Sequence, residues 1–138
     1  MEFKIVNNAQ EIPFSLIVQD LLSGNINRSP AKLAVFNKTQ GVAAIELPDI
    51  EAAITLIFQR GSLTIEPGIV HNPVIIIKTS YELVTDLNML NIRFGLPYYF
   101  DAAGRRVLGH LLSGRLKIKG MFTHPVLLNN FTILMSVM

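Results

Sequence analysis

The chain has no cysteine and few charged side chains, and each absence removes a class of function. Without cysteine there is no disulfide framework and no thiolate for catalysis or metal binding. Only 16% of its residues are charged, against about 25% in typical soluble domains, while half are apolar. No apolar run approaches the roughly 20 residues that a membrane-spanning helix needs. The segment Met1–Lys4 shows no secretory leader, so we expect a soluble, cytoplasmic protein of one domain.

The charges that are present are unevenly distributed. Residues 1–87 hold six basic and nine acidic residues, whereas residues 88–138 hold six basic residues and one acid, Asp101. A basic half favours a phosphate partner, either nucleic acid or lipid headgroups. The same cations are also typical of an ordinary solvated surface, and both interpretations stay open.

The sequence contains no recognisable catalytic or metal-binding motif. His71, His110 and His124 are far apart, and none has a second ligand at metal-binding spacing. Ser113 lies in Leu-Leu-Ser-Gly-Arg, which is typical of a helix end and not of a nucleophile elbow. Single-stranded nucleic acid favours aromatic residues on a basic sheet face, whereas here the cations alternate with aliphatic residues. We therefore predict a protein that is not an enzyme, with no cofactor, no metal and no nucleic-acid partner.

Two helices are predicted in the first 40 residues. The first spans Phe14–Leu22 and stops at Gly24-Asn25, a pair that is typical of a helix end. The second begins at Ser29-Pro30, because serine is a preferred N-cap and proline is favoured at the first helical position. It is predicted to end near Asn37.

A set of short strands follows the two helices. They are predicted at Val42–Leu47, Ala53–Gln59, Ser62–Glu66 and Val74–Ile77. Arg60-Gly61 is a candidate tight turn, so the first three strands are expected to form an antiparallel meander. The fourth strand is an unbroken apolar run, which predicts that both of its faces are covered.

Two more helices are predicted in the second half. Thr79 and Glu82 have capping-box spacing at the start of the first, whose apolar stripe extends to Leu90. An aromatic-rich loop, Arg93–Gly104, leads to the second helix at Arg105–Ser113.

The last segment combines a basic strand with an uncharged helix. In Arg115–Lys119, basic residues alternate with Leu116 and Ile118, so the cations are expected on one face and the aliphatic residues on the other. Residues 121–138 contain no charged side chain. An ordinary surface helix has a charged outer face, so the helix that follows Pro125 is expected to pack on two sides or to meet an apolar partner.

The segment Gly114-Arg115-Leu116-Lys117-Ile118-Lys119-Gly120 resembles the Gly-Lys-Leu-Lys-Ile-x-Gly strand of the sterol carrier protein type-two domain family. The predicted order of elements is similar to that family from about residue 30 to the end of the chain. The chain departs from it at Met121-Phe122-Thr123, where the family often has Asn-Met-Gly, and in a longer stretch at Asn91–Ala103. The resemblance implies an α+β fold: a five-stranded, mostly antiparallel sheet, covered on one face by helices and enclosing an apolar tunnel. Residues 1–29 would form a helical N-terminal extension.

The resemblance also implies a function, namely the binding and transfer of a hydrophobic lipid such as a fatty acyl chain, a sterol, a phospholipid or an isoprenoid. The residues expected to line the tunnel are Leu83, Leu87, Leu90, Phe94, Phe100, Leu108, Leu112, Leu127, Phe131 and Met135. The competing interpretation is that these side chains fill an ordinary core. Two alternative functions stay open. One is an accessory protein that holds ubiquinone or other isoprenoid-quinone intermediates for membrane-associated enzymes, and the other is a structural module, possible as a homodimer, that uses the terminal helix.

Five cations are candidates for contact with an anionic membrane surface. They are Arg105, Arg106, Arg115, Lys117 and Lys119. Each cation close to an anionic leaflet contributes about 1 kcal/mol, so several together would give reversible, salt-sensitive docking. The alternative is that they only keep an apolar protein soluble.

Overall fold

The computed structural model describes residues 3–79, 91–93, 96–98, 117–120 and 122–135. Its helices are α1 (Pro13–Arg28), α2 (Pro30–Lys38) and α3 (Pro125–Met135), with a 3-10 turn at Pro48–Ile50. Its strands are β1 (Lys4–Asn7), β2 (Gln40–Leu47), β3 (Ala52–Gln59), β4 (Ser62–Pro67), β5 (Ile75–Lys78), β6 (Asn91–Arg93), β7 (Leu96–Tyr98) and β8 (Lys117–Lys119). None of these described helices is long and apolar enough to cross a bilayer. The helices predicted to begin at Thr79 and at Arg105 lie outside the described residues.

Six of the described strands form one mixed sheet in the order β1-β4-β3-β2-β5-β8. The predicted antiparallel meander of β2, β3 and β4 is confirmed, with Ile45 opposite Ile54 and Leu56 opposite Ile65. β8 runs antiparallel to β5, while β1 is parallel to β4 and β5 is parallel to β2. The α+β class is confirmed. The expectation of five strands is wrong by one, and the sheet is more mixed than predicted.

Sequence reasoning missed the short antiparallel pair β6 and β7, which lies largely in the predicted loop Arg93–Gly104. The strand that it missed in the main sheet is β1. It contains only the four residues Lys-Ile-Val-Asn, too few for an alternating pattern to separate a strand from a loop. Its partner is β4, where Lys4 pairs with Ser62, so the contact that fixes it is distant in sequence. Residues 1–29, expected to be a helical extension, therefore also contribute an edge strand to the sheet.

Helix α1 continues beyond its predicted end. It passes through Gly24 and Asn25 and ends at Arg28. The Asn25 side chain is 3% exposed, and its Nδ2 donates a hydrogen bond of 2.9 Å to the carbonyl oxygen of Leu134 in α3. Leu22 and Ile26 are buried on the same side. This tertiary packing outweighs the roughly 1 kcal/mol that glycine costs inside a helix.

Two local signals were predicted correctly. Ser29 is the N-cap of α2, where its Oγ accepts a hydrogen bond of 3.2 Å from the backbone N–H of Lys32. In the β3–β4 hairpin, Arg60 has φ of 44° and Gly61 has φ of 97°. Positive φ at both central residues is the geometry of a two-residue turn that matches the twist of the strands.

The core lies between one face of the sheet and the three described helices. A row of four phenylalanines crosses it, and we call Phe3, Phe36, Phe58 and Phe131 the phenylalanine row. Successive ring centroids are 5.8, 6.3 and 6.0 Å apart, and the planes are inclined by 63° to 77°. Edge-to-face pairs of this kind contribute about 0.5–1.5 kcal/mol each beyond their buried area. The row therefore joins the N-terminal segment, α2, β3 and α3 into one core.

The other face of the sheet is covered in its centre by the chain that leads from β4 to β5. Thr55 Oγ1 donates to the Gly68 carbonyl oxygen at 2.8 Å and accepts from the Val70 N–H at 3.0 Å, and Thr55 and Ala44 are fully buried. β5 lies further toward the sheet edge, and Ile76 is only half-buried there. The predicted cover of both faces is therefore incomplete, most clearly at Val74, the first residue of the predicted strand, which is 37% exposed.

Candidate functional site

Helix α3 is the described part of the predicted lipid site. Leu127, Phe131 and Met135, three of the predicted lining residues, are 7%, 3% and 5% exposed. Leu134 is fully buried and belongs with them to one core cluster. Because these residues recur at helical spacing, the apolar face predicted for the terminal helix is the face that packs inward.

Three contacts position α3 against the rest of the fold. The Phe131 ring lies 6.0 Å from that of Phe58 on β3, and the Leu134 carbonyl oxygen accepts from Asn25 in α1. At the N-terminal end of the helix, Leu127 lies directly over Gly41, where a Cβ would come within 2.6 Å of Leu127 Cδ2. Gly41 has φ of 143°, so both conformation and space favour glycine there. The helix is therefore held at its start, its middle and its end.

The other predicted lining residues lie outside the described part of the chain. They are Leu83, Leu87, Leu90, Phe94, Phe100, Leu108 and Leu112. The tunnel itself therefore stays a prediction. An open cleft of about 330 Å³ lies at the start of α3, lined by Lys38, Gln40, Thr123, His124, Pro125, Val126, Leu127 and Asn130. Leu127 belongs to both the cleft and the core cluster, so one predicted lining residue is adjacent to an opening in the surface.

The basic strand has the alternation that the sequence predicts. Lys117 and Lys119 are exposed, while Ile118 between them is half-buried and packs against the core. Lys117 lies beside Lys78, whose Nζ is 3.9 Å from Glu46 Oε1, with both side chains well exposed to solvent. Arg105, Arg106 and Arg115 lie outside the described residues. Two of the five candidate membrane cations are thus placed on the sheet face that points away from the helices.

Sequence reasoning gave no sign of a buried lysine, yet Lys32 is one. Its side chain, in the first turn of α2, is 8% exposed. Burial, and after it the neighbouring Arg28 guanidinium, lowers the pKa of Lys32 from its usual 10.5. The sequence pattern around Pro30 indicated only a helix start, and burial of the lysine depends on how α2 packs.

The lowered pKa of Lys32 predicts a specific pH dependence of stability. Because the native state releases this proton at lower pH than the unfolded chain, the unfolded state binds more protons between the two pKa values. The contribution of Lys32 to the free energy of unfolding therefore rises with pH between its native-state pKa and the unfolded value of 10.5. We expect Lys32→Met to be more stable than the parent at neutral pH, with an advantage that shrinks as the pH is raised. Urea unfolding across this range measures it.

Lys38→Met is the matched control for this prediction, because Lys38 is exposed on the same helix. It should leave the pH dependence unchanged. A Lys32→Met protein that is less stable than the parent at neutral pH, by an amount independent of pH, would contradict the burial argument.

Thr79, directly after β5, has a hydrogen-bonded backbone N–H, but its side-chain hydroxyl has no partner in the described part of the chain. Its N–H donates to the Glu46 carbonyl oxygen at 3.1 Å. Its Oγ1 is buried and has no hydrogen-bond partner within the described part of the chain. The helix that Thr79 is predicted to cap lies outside that part, and capping is the role that the sequence assigns to this hydroxyl.

Similarity to known proteins is found at the level of structure and not of sequence. By sequence, the chain matches no family model and no curated protein. By structure, it is similar to the UbiJ-SCP2 ubiquinone synthesis protein, with a TM-score of 0.63 and 16% identity over 91% of this chain and 95% of that one. It is also similar to sterol carrier protein 2, with a TM-score of 0.50 and 15% identity over 84% and 88% of the two chains.

A third similar structure is the stereoselective inverting sec-alkylsulfatase Pisa1 from Pseudomonas sp.. The TM-score is 0.52 and the identity 14%, and the match covers 75% of this chain but only 14% of that enzyme. The fold is thus that of the sterol carrier protein type-two domain, and the resemblance noted at Gly114–Gly120 is confirmed at the level of fold. At these identities the likeness concerns the fold alone.

Proposed function

We propose that the protein binds a hydrophobic lipid between its sheet and its helices and transfers it without chemical change. The observation that carries this proposal is the fold, which is shared with sterol carrier protein 2 over most of both chains. The uncharged helix α3 supports it, because its inward face supplies Leu127, Phe131 and Met135 to the interior. We infer a binding protein, not an enzyme.

The energetics of such binding need no polar motif. Each methylene moved from water to an apolar interior contributes about 0.8 kcal/mol. An acyl chain of about sixteen carbons therefore provides on the order of 10 kcal/mol before the costs of association are subtracted. An interior lined by aliphatic and aromatic residues is sufficient for useful affinity.

A more specific ligand is favoured by one comparison. The UbiJ-SCP2 structure is a ubiquinone synthesis protein by name, and its similarity extends over 91% of this chain. An isoprenoid quinone or its precursor has a long apolar tail, which matches the chemistry of the interior proposed here. We therefore rank an isoprenoid quinone intermediate, held for membrane-associated enzymes, beside an acyl lipid as the ligand.

The alternative of a dimerisation module is less well supported. Five of the eleven residues of α3 are buried within this single chain: Leu127, Phe131, Ile133, Leu134 and Met135. A helix that served mainly to bind a second subunit would keep more of its apolar surface available in the isolated chain.

The test uses the fact that a larger side chain can fill a void without loss of stability but overpacks a filled core. We expect native mass spectrometry of the gently purified protein to show a bound lipid, and extraction to identify it as an acyl lipid or an isoprenoid quinone. Met135→Trp should fill part of the proposed void. We expect a loss of more than half of the bound lipid, with a thermal midpoint no lower than that of the parent.

The control substitution is Leu56→Trp, at a fully buried position in the middle of β3. Overpacking there costs about 1–3 kcal/mol, so this variant should be destabilised. If Met135→Trp is destabilised to the same extent and the parent protein carries no lipid, the residues around α3 fill an ordinary core, and the proposed function is wrong.

A further inference from the structure

The ends of five elements meet at one end of the sheet. β2 begins there at Gln40, opposite Gln59 at the end of β3. The hairpin residue Arg60 donates its N–H to the Thr39 carbonyl oxygen, which follows the last turn of α2. β4 starts there at Ser62, directly after the hairpin, and α3 begins in the cleft next to Lys38 and Gln40. We call the residues Lys38, Arg60, Phe122 and Val126 at this end the basic tip.

The basic tip contains the two most exposed large apolar side chains in the described part of the protein. Phe122 is 88% exposed and Val126 is 72% exposed. Phe122 lies in the turn that precedes α3, and Val126 is the second residue of the helix and lines the cleft that contains Lys38. Single exposed apolar residues are ordinary on a protein surface, but two that are so exposed within five residues of chain favour a contact site.

Charge is divided between the two ends of the sheet. Lys38 and Arg60 are exposed at the basic tip. Glu46, Asp49 and Glu51 lie at the opposite end, where β2 finishes and β3 begins. Lys119 and Glu66 are both level with Ala44, in the middle of the sheet. In the sequence, no acidic residue follows Asp101. Exposed apolar residues at the same end as Lys38 and Arg60, with Glu46, Asp49 and Glu51 at the other end, complement a surface that is anionic outside and apolar beneath.

We propose that the basic tip docks the protein on an anionic lipid bilayer. Phe122 and Val126 insert among the acyl chains, while Lys38 and Arg60 contact the lipid phosphates. This docking extends the proposed function, because it names the surface through which a lipid would enter or leave, but it does not require that the protein carry a lipid. It also differs from docking by the flat face of β8, since Lys117 and Lys119 lie beside Lys78 and Ile76, away from the tip.

The absence of tryptophan allows a direct measurement. Phe122→Trp places a single tryptophan at the basic tip, where exposure makes the substitution harmless to folding. We expect its fluorescence to shift to shorter wavelength when vesicles of equal parts phosphatidylcholine and phosphatidylglycerol are added. Ile50→Trp is the matched control, because Ile50 is 48% exposed at the acidic end of the sheet. Its emission should not change.

Vesicle flotation then tests each part of the basic tip. The double variant Phe122→Ala, Val126→Ala should bind the same vesicles at least about tenfold more weakly, whereas Ile50→Ala should bind like the parent. Lys38→Gln should weaken binding and reduce its salt dependence, whereas Lys78→Gln, the same change at the other end, should have little effect. Vesicles of phosphatidylcholine alone should bind poorly.

Two results would overturn the proposal. One is an unshifted Phe122→Trp spectrum together with equal flotation of the double variant and the parent. The other is a spectrum that shifts with protein concentration in the absence of vesicles, which would show that the tip binds a second copy of the chain. Lipid retention, measured separately by native mass spectrometry, decides the proposed function, so that failure of one proposal can be distinguished from failure of the other.

Discussion

Gly120→Ala is expected to lower the free energy of unfolding by at least about 3 kcal/mol. Gly120 has φ of 87°, a conformation that costs a residue with a Cβ roughly 1–2 kcal/mol. A Cβ there would also overlap the Val74 carbonyl oxygen, which is backbone and cannot rotate away. The same glycine's carbonyl oxygen accepts the His124 N–H at 2.8 Å, so a shift would disturb the start of α3 as well. Urea denaturation measures the effect.

Two other glycines separate the causes of this loss. Gly68 has φ of 73°, but no atom lies within 4 Å of a Cβ built there, so Gly68→Ala should show only the conformational cost. Gly24 lies inside α1 with ordinary helical geometry and only the Arg28 guanidinium nearby, so Gly24→Ala should stabilise by about 0.5–1 kcal/mol. Equal losses at Gly68 and Gly120 would mean that the close approach of β5 and β8 contributes nothing.

Features that depend on neighbouring residues could be predicted from the sequence. The Ser29 cap, the Arg60-Gly61 turn and the three-strand meander each follow from a few adjacent side chains, and each was predicted correctly. The inward face of α3 was also predictable, because Leu127 and Phe131 recur at helical spacing.

Features that depend on distant residues could not be predicted in this way. The fourth strand was predicted to be covered on both faces, but Val74 is 37% exposed, because its cover depends on how other segments of the chain pack against the sheet. The helix end predicted at Gly24-Asn25 was wrong. Asn25 donates a hydrogen bond to the carbonyl oxygen of Leu134, 109 residues further along the chain, and this contact stabilises the helix beyond Gly24. β1 was missed because its pairing partner is β4.

The candidate site also combines features that neighbouring residues determine with features that distant residues determine. Alternation in the basic strand indicated that Lys117 and Lys119 would be exposed, and they are. The exposure of Phe122 and the burial of Lys32 have no local signature, because each is decided by what packs beside it in the folded chain. Sequence reasoning therefore placed candidate membrane-contact cations on a strand face, whereas the structure also has Lys38 and Arg60 at the end of the sheet where α3 begins.

Phe131→Ala is expected to cost about 3–5 kcal/mol of the free energy of unfolding, a large part of the roughly 5–15 kcal/mol available to a domain of this size. Phe131 is 3% exposed and is the last member of the phenylalanine row. Its removal takes away the edge-to-face contact with Phe58 and leaves a cavity under the middle of α3. Guanidinium denaturation of the parent and the variant gives the value.

Phe122→Ala is the matched control for this effect, because it makes the same chemical change in the same segment at a position that is 88% exposed. It should alter the free energy of unfolding by less than about 0.5 kcal/mol. A double-mutant cycle with Phe58→Leu and Phe131→Leu then isolates the ring contact, for which we expect a coupling of about 0.5–1.5 kcal/mol.

If bound lipid is the main support of α3, delipidation of the parent should bring its stability close to that of Phe131→Ala. If the phenylalanine row is the main support, the difference of about 3–5 kcal/mol should persist in the lipid-free protein, because the lost packing belongs to the chain itself.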